Sequence, residues 1–144
     1  MTVPALAACC GTLVAGAVDA RTGFIPDRIV IVTASLALAV AFSAGHEAGA
    51  VAGAALCGGA LLALHLFTRG RGLGLGDVKL AAAIGCGLGP AAGAGALGIA
   101  FVAGGAYGVF LLATGRAAPR SEVRFGPFLA AGTLIAALGW TCLP

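Results

Sequence analysis

Long stretches of this chain carry no charge, and that feature constrains its fold more than any other. No Asp, Glu, Lys or Arg occurs in residues 1–18, 29–46, 48–68, 80–115 or 125–144. Only 9% of residues are charged, 60% are hydrophobic and the mean hydropathy is +1.09, values outside the range of a chain that folds in water. Lipid accommodates such runs, since a helix of about 20 apolar residues crosses the hydrocarbon core of a bilayer with its backbone hydrogen bonds satisfied internally. The reading is one all-α integral-membrane domain over residues 1–144, with the lipid bilayer as its surroundings and no soluble domain.

Apolar runs broken by charge predict spans near residues 3–18, 29–45, 48–67, 73–89, 91–114 and 125–143, about six transmembrane helices. The fourth is anomalous because Asp77 and Lys79 interrupt it, so a shortened helix is expected there. Tight hairpin turns are expected near His46-Glu47 and Gly89-Pro90. The basic residues check the count independently. Arg21 and Arg28 fall between spans one and two, Arg69, Arg71 and Lys79 between three and four or just beyond, and Arg116, Arg120 and Arg124 between five and six. With six spans every basic group lies on one face, which the positive-inside rule makes cytoplasmic, leaving the N-terminus outside.

Leu6-Ala7-Ala8-Cys9 and Val18-Asp19-Ala20 imitate leader cleavage sites. No Lys or Arg precedes the run, however, so it reads as an uncleaved span. The scattered basic residues and a net charge of +3 exclude a nucleic-acid partner. Cys9, Cys10, Cys57, Cys86 and Cys142 form no CxxC pair and read as small apolar fillers, with neither a metal site nor a disulfide framework. Glycines at four-residue spacing, Gly49/Gly53, Gly85/Gly89 and Gly104/Gly108, read as seams where helix backbones approach.

Two acidic residues stand where charge is costly. Asp19 ends the first run, and Asp77 lies about one helical turn inside the fourth, roughly 6 Å from Leu73 at 1.5 Å per residue. The predicted topology puts both at the cytoplasmic end. Either one alone reads equally well as a boundary carboxylate reaching for water; two at one end of a small bundle read better as a site. Brought together, the carboxyls cannot both ionise, and one proton is shared between them. The ionised member then draws a proton from water while the protonated member donates a hydrogen bond to a scissile carbonyl. That is general acid–base hydrolysis without metal, cofactor or covalent intermediate.

His46 falls on the opposite face and His65 within an apolar run, and both read as packing or interface residues. Glycines at 70, 72, 74 and 76 permit an irregular backbone and the close approach of another chain just before Asp77. Lys79 reads as a snorkelling side chain, with pairing to a carboxylate or lipid phosphate as the alternative. A small transporter or channel with intramembrane carboxylates would also explain Asp77, and a structural subunit would make both aspartates boundary residues.

Three segments decide among these readings: Asp19-Ala20-Arg21-Thr22-Gly23-Phe24-Ile25-Pro26-Asp27, Gly74-Leu75-Gly76-Asp77-Val78-Lys79-Leu80 and Arg124-Phe125-Gly126-Pro127-Phe128-Leu129-Ala130-Ala131-Gly132. In residues, order and spacing the chain resembles the type IV prepilin peptidases, members of the GxGD aspartyl proteases. The resemblance implies that Asp19 and Asp77 are the catalytic pair at the cytoplasmic ends of the first and fourth spans, with Gly74, Gly76 and Lys79 in the active-site motif. Pro26 would fix the turn after the first span, and Gly126 with Pro127 would structure the start of the sixth. It further implies a multi-pass protein of the bacterial inner membrane. Its substrates would be prepilins or pilin-like precursors, cut between a short basic cytosolic leader and an apolar helix. Long members of that family add paired CxxC motifs and an N-methyltransferase activity, so the resemblance is to the short, peptidase-only form. Asp27 stands where the family often has Asn.

Overall fold

The computed structural model describes residues 3–70, 73–115 and 124–142, with side chains through residue 139. These residues form helices α1 (Val3–Thr22), α2 (Asp27–Ser43), α3 (Glu47–Phe67), α4 (Leu75–Ala113) and α5 (Gly126–Cys142), with no strand among them. The all-α expectation holds.

α4 is not one rod. Gly89 has φ 77° and ψ 178°, a region open essentially to glycine alone, and Pro90 beside it has no N–H with which to continue a helix. The chain reverses at this point. A Cβ added to Gly93 would lie 3.1 Å from Gly85 Cα, whereas a continuous helix would separate the two residues by about 12 Å of rise. α4 is therefore a hairpin of two limbs, 75–88 and 90–113, about 21 Å and 36 Å long at 1.5 Å per residue. The turn falls where the apolar runs predict one, and the first limb is the shortened one. Three helices, α1, α3 and α4, are long and apolar enough to cross a membrane; α5 is apolar but shorter.

Small side chains fill the interior and large ones coat the exterior. Ala8, Ala15, Ala81, Ala83 and Ala100 are completely buried, while Val102 is 74% and Phe67 88% exposed. Leaving such apolar surface in water costs about 25 cal/mol per Å². Lipid removes that cost, and small residues then let backbones pack closely. The first limb of α4 occupies the centre, with Leu80, Ala81, Ala83 and Ile84 fully buried among α1, α2 and α3. Buried hydroxyls are satisfied within their own helices: Thr12 donates to the Ala8 carbonyl at 2.8 Å, Thr33 to that of Ile29 at 2.8 Å and Thr133 to that of Leu129 at 2.7 Å.

Only part of the predicted glycine seams is used. Gly53 of α3 and Gly85 of α4 face each other so closely that a Cβ on either would overlap the other's carbonyl oxygen, and Gly104 lies against Phe125 and Phe128. Gly49 and Gly108 face open space, and Gly89 makes the turn instead of a seam. Four-residue spacing marks a helix face, but the depth at which two helices cross decides which member meets a neighbour. Cys9, Cys57 and Cys86 are buried and Cys10 exposed, all as free thiols; the side chain of Cys142 lies outside the described residues.

Candidate active site

Antiparallel packing gathers most of the described charged residues at one end of the bundle, Glu47 excepted. At the far end, Pro4 and Ala8 of α1 meet Gly87 of the first α4 limb. At the near end, Asp19 in the last turn of α1 acts electrostatically on Asp77 in the first turn of α4. α5 begins at this same end, where Gly126 touches Asp19.

Asp19 is 6% exposed and so does not reach for water. Its Oδ2 accepts a hydrogen bond from the Gly126 N–H at 3.0 Å. The first N–H groups of a helix have no partner within it, so a carboxylate placed there satisfies a donor and meets the favourable end of the helix dipole. Asp77 lies closer to the helix start than the apolar runs suggest. α4 begins at Leu75 with Gly74 as its N-cap, and Asp77 Oδ2 accepts the Gly74 N–H at 3.3 Å. The carboxylate thus caps its own helix, which places it in the first turn and not a turn deeper.

The segment linking α1 to α2 folds over the glycine-rich turn before α4. Ile25 is 5% exposed, and its side chain lies against Gly76, where an added Cβ would meet Ile25 Cβ at 3.2 Å. Pro26, at φ −65°, is the N-cap of α2, and its carbonyl accepts the Ile29 N–H at 3.0 Å. The next residue, Asp27, accepts an ion-paired hydrogen bond from Lys79 Nζ at 2.7 Å. Lys79 is therefore paired, and snorkelling does not describe it. Asp27 and Lys79 join the stretch following Asp19 to the turn carrying Asp77, a link that nothing in either local sequence announces.

The third segment closes the site from the other side. Arg124 donates from its guanidinium to the Ala20 carbonyl in the last turn of α1. Pro127 follows Gly126 in the first turn of α5, where the missing N–H costs nothing. His65, expected to pack or to stand at an interface, donates from Nδ1 to the Leu73 carbonyl at 2.6 Å, tying the end of α3 to the turn ahead of Asp77. The structure thus brings Asp19, Gly74, Gly76, Asp77, Lys79, Pro26 and Gly126 to one end of the bundle. It adds Ile25, Asp27, His65 and Arg124, of which Ile25, Asp27 and Arg124 lie inside the quoted segments and His65 has no signal.

Among the described residues no cluster of His, Cys, Asp and Glu could hold a metal ion. A groove of about 260 Å³ between α3 and the second limb of α4 is lined by apolar residues including Leu61, Leu64, Leu97 and Phe101. Its one heteroatom-bearing side chain is the buried thiol of Cys57, and neither aspartate lines it.

Comparison with known proteins identifies the family. The model of the type IV leader peptidase family matches residues 6–109, a stretch that includes Asp19 and Asp77. Two proteins named prepilin leader peptidase/N-methyltransferase, from Burkholderia pseudomallei strains 1026b and K96243, are each 37% identical over 130 residues. Each match covers 86% of this chain and 42% of the relative, so the chain spans about two fifths of the length of these curated relatives. No solved structure matches.

Proposed function

The chain belongs to the type IV leader peptidase family, and from that premise we propose that it is a membrane aspartyl endopeptidase of the bacterial inner membrane that removes the basic leader from prepilin-like precursors, with Asp19 and Asp77 as its catalytic pair. The observation that supports this reading is the placement of the two carboxyls at the same end of the bundle, at the end of α1 and the start of α4. Asp19 is buried against the start of α5, and Asp77 caps α4 within electrostatic range of it.

A pair of carboxyls in mutual range, one buried and the other half-buried, favours a state in which one is ionised and the other protonated. The ionised carboxyl takes a proton from an attacking water while the protonated one donates to the carbonyl oxygen of the scissile bond. Protons are then exchanged back as the leaving amine departs. Gly74, exposed beside Asp77, leaves the backbone there free of side-chain bulk, so an extended substrate strand can lie against it, while Gly76 makes room for Ile25. The residues 1–144 act as one membrane domain, with the helices and the two limbs of α4 crossing the bilayer as about six spans, α1 starting outside. In that arrangement both aspartates sit at the cytoplasmic boundary, where a basic leader gives way to an apolar helix.

The test is cleavage of a co-expressed prepilin by Asp19→Asn and Asp77→Asn variants. An amide cannot exchange the proton, so each substitution is expected to abolish the shortened product while leaving membrane insertion and abundance near normal. Full processing by either variant removes that residue from the mechanism.

A further inference from the structure

The catalytic reading uses Asp19 and Asp77 but gives no work to the start of α5, which lies outside the stretch matched by the family model. We infer that Arg124 and Gly126 are positioning residues for Asp19: the Gly126 N–H fixes the carboxyl, and the Arg124 guanidinium fixes the end of α1 that carries it. The catalytic consequence rests on the function proposed above; the positioning itself does not.

Three observations carry the inference. The first is the buried hydrogen bond from Gly126 to Asp19 Oδ2, 3.0 Å long, which joins residues far apart in the chain. A carboxyl held by a backbone donor at a helix start has one oxygen committed and its rotamer set, whereas an unheld one samples several rotamers. The second is shape. A Cβ at position 126 would stand 2.7 Å from Asp19 Oδ2, 2.8 Å from its Cβ and 3.0 Å from its Cγ. Any larger residue would have to push the carboxyl aside. Gly16, one turn earlier on α1, extends the same seam, since a Cβ there would lie 2.9 Å from Ala130 Cβ and 3.0 Å from the Gly126 carbonyl oxygen. Two glycines on facing helices therefore set the depth at which α5 meets α1. The third is the end of α1. The Asp19 carbonyl accepts the Gly23 N–H at 2.8 Å, and the next carbonyl, that of Ala20, accepts from Arg124. Arg124 also lies along Gly23, which holds φ 68° and has its nearest arginine atom 3.5 Å from the site of an added Cβ. A cation there satisfies an orphan carbonyl and opposes the negative end of the helix dipole.

The experiment compares wild-type protein with Gly126→Ala, Arg124→Gln and Arg124→Lys, each full length and reconstituted in lipid. Two readouts are taken: kcat and KM on a purified prepilin, and the rate at which a water-soluble carbodiimide modifies Asp19, located by mass spectrometry. Misplacement of a reacting group by about 1 Å can cost about 100-fold in rate. Gly126→Ala and Arg124→Gln are expected to lower kcat by about 10- to 100-fold with KM within about twofold, and to change carbodiimide labelling at Asp19 by at least about threefold. Arg124→Lys, which keeps a donor and a charge, should restore most of the kcat lost in Arg124→Gln.

Unchanged kcat and unchanged Asp19 labelling in both disruptive variants would overturn the inference. So would a loss of folded protein with kcat per folded molecule unchanged, because that is a structural role alone. A wild-type protein that cleaves no prepilin, while Gly126→Ala still alters labelling of Asp19, would sink the proposed function and leave the positioning intact.

Discussion

Lys79 and Asp27 are 51% and 56% exposed, so their ion pair competes with water and salt for the same charges. Its effect on stability is accordingly small. Lys79→Met or Asp27→Asn is expected to shift unfolding in detergent by less than about 1 kcal/mol. Its effect on geometry is another matter, because the pair ties the stretch after Asp19 to the turn that carries Asp77. Lys79→Glu is expected to slow prepilin cleavage about tenfold through misplacement of the pair, and Asp27→Lys in the same chain to recover most of it. A double variant as slow as the single one would show that the ion pair does not hold the site. His65 acts on the same turn from α3. A carbonyl can only accept, so the proton of the His65–Leu73 bond sits on Nδ1. His65→Ala should cost roughly 1 kcal/mol of stability, and His65→Asn, whose amide nitrogen can occupy the place of Nδ1, less than that; equal losses would mean that the ring's bulk matters and its donor does not.

Helix α4 shows how one dihedral sets an element. At Gly89 the backbone enters a region that costs other residues roughly 1–3 kcal/mol, so Gly89→Ala is expected to lower the midpoint of thermal helix loss although no neighbouring side chain stands within 4 Å. Gly49 is the matched control. It also faces open space but has ordinary helical geometry, and Gly49→Ala should be neutral or stabilising by up to about 1 kcal/mol. Similar losses at both positions would mean that Gly89 matters for something besides the turn. This hairpin is legible in the sequence because Gly-Pro is a local signal that ends a helix whatever surrounds it. The Gly53–Gly85 crossing is legible only in half, since periodicity marks the face of each helix but not the partner or the depth of contact. The step of Asp77 from helix interior to helix cap has a local cause: α4 starts at Leu75, so Asp77 is its third residue, from which a carboxylate reaches back to the Gly74 N–H.

For the molecule as a whole, the sorting of charge along the chain and the packing of the helices describe the same arrangement. The described basic residues, Arg21, Arg28, Arg69, Lys79 and Arg124, flank the helix ends that meet at Asp19 and Asp77, while His46 and Glu47 stand at the opposite turn between α2 and α3. Arg71, Arg116 and Arg120 lie outside the described residues. Asp19 and Asp77 stand out as candidates in the sequence because charge is rare enough here for each carboxylate to be conspicuous. The links from 27 to 79, from 65 to 73 and from 124 and 126 to 19–20 do not, because they arise where turns from different helices meet, and no periodicity encodes that meeting. Orientation in the membrane remains the property on which the substrate depends. With all five cysteines replaced, Arg69→Cys and His46→Cys place single exposed thiols at the two ends of the bundle. In intact cells an impermeant thiol reagent is expected to label His46→Cys at once and Arg69→Cys only after the membrane is opened, because basic loops stay in the cytosol. The opposite pattern would put Asp19 and Asp77 across the bilayer from a cytosolic leader, and the proposed substrate would have to be given up even if both aspartates proved essential.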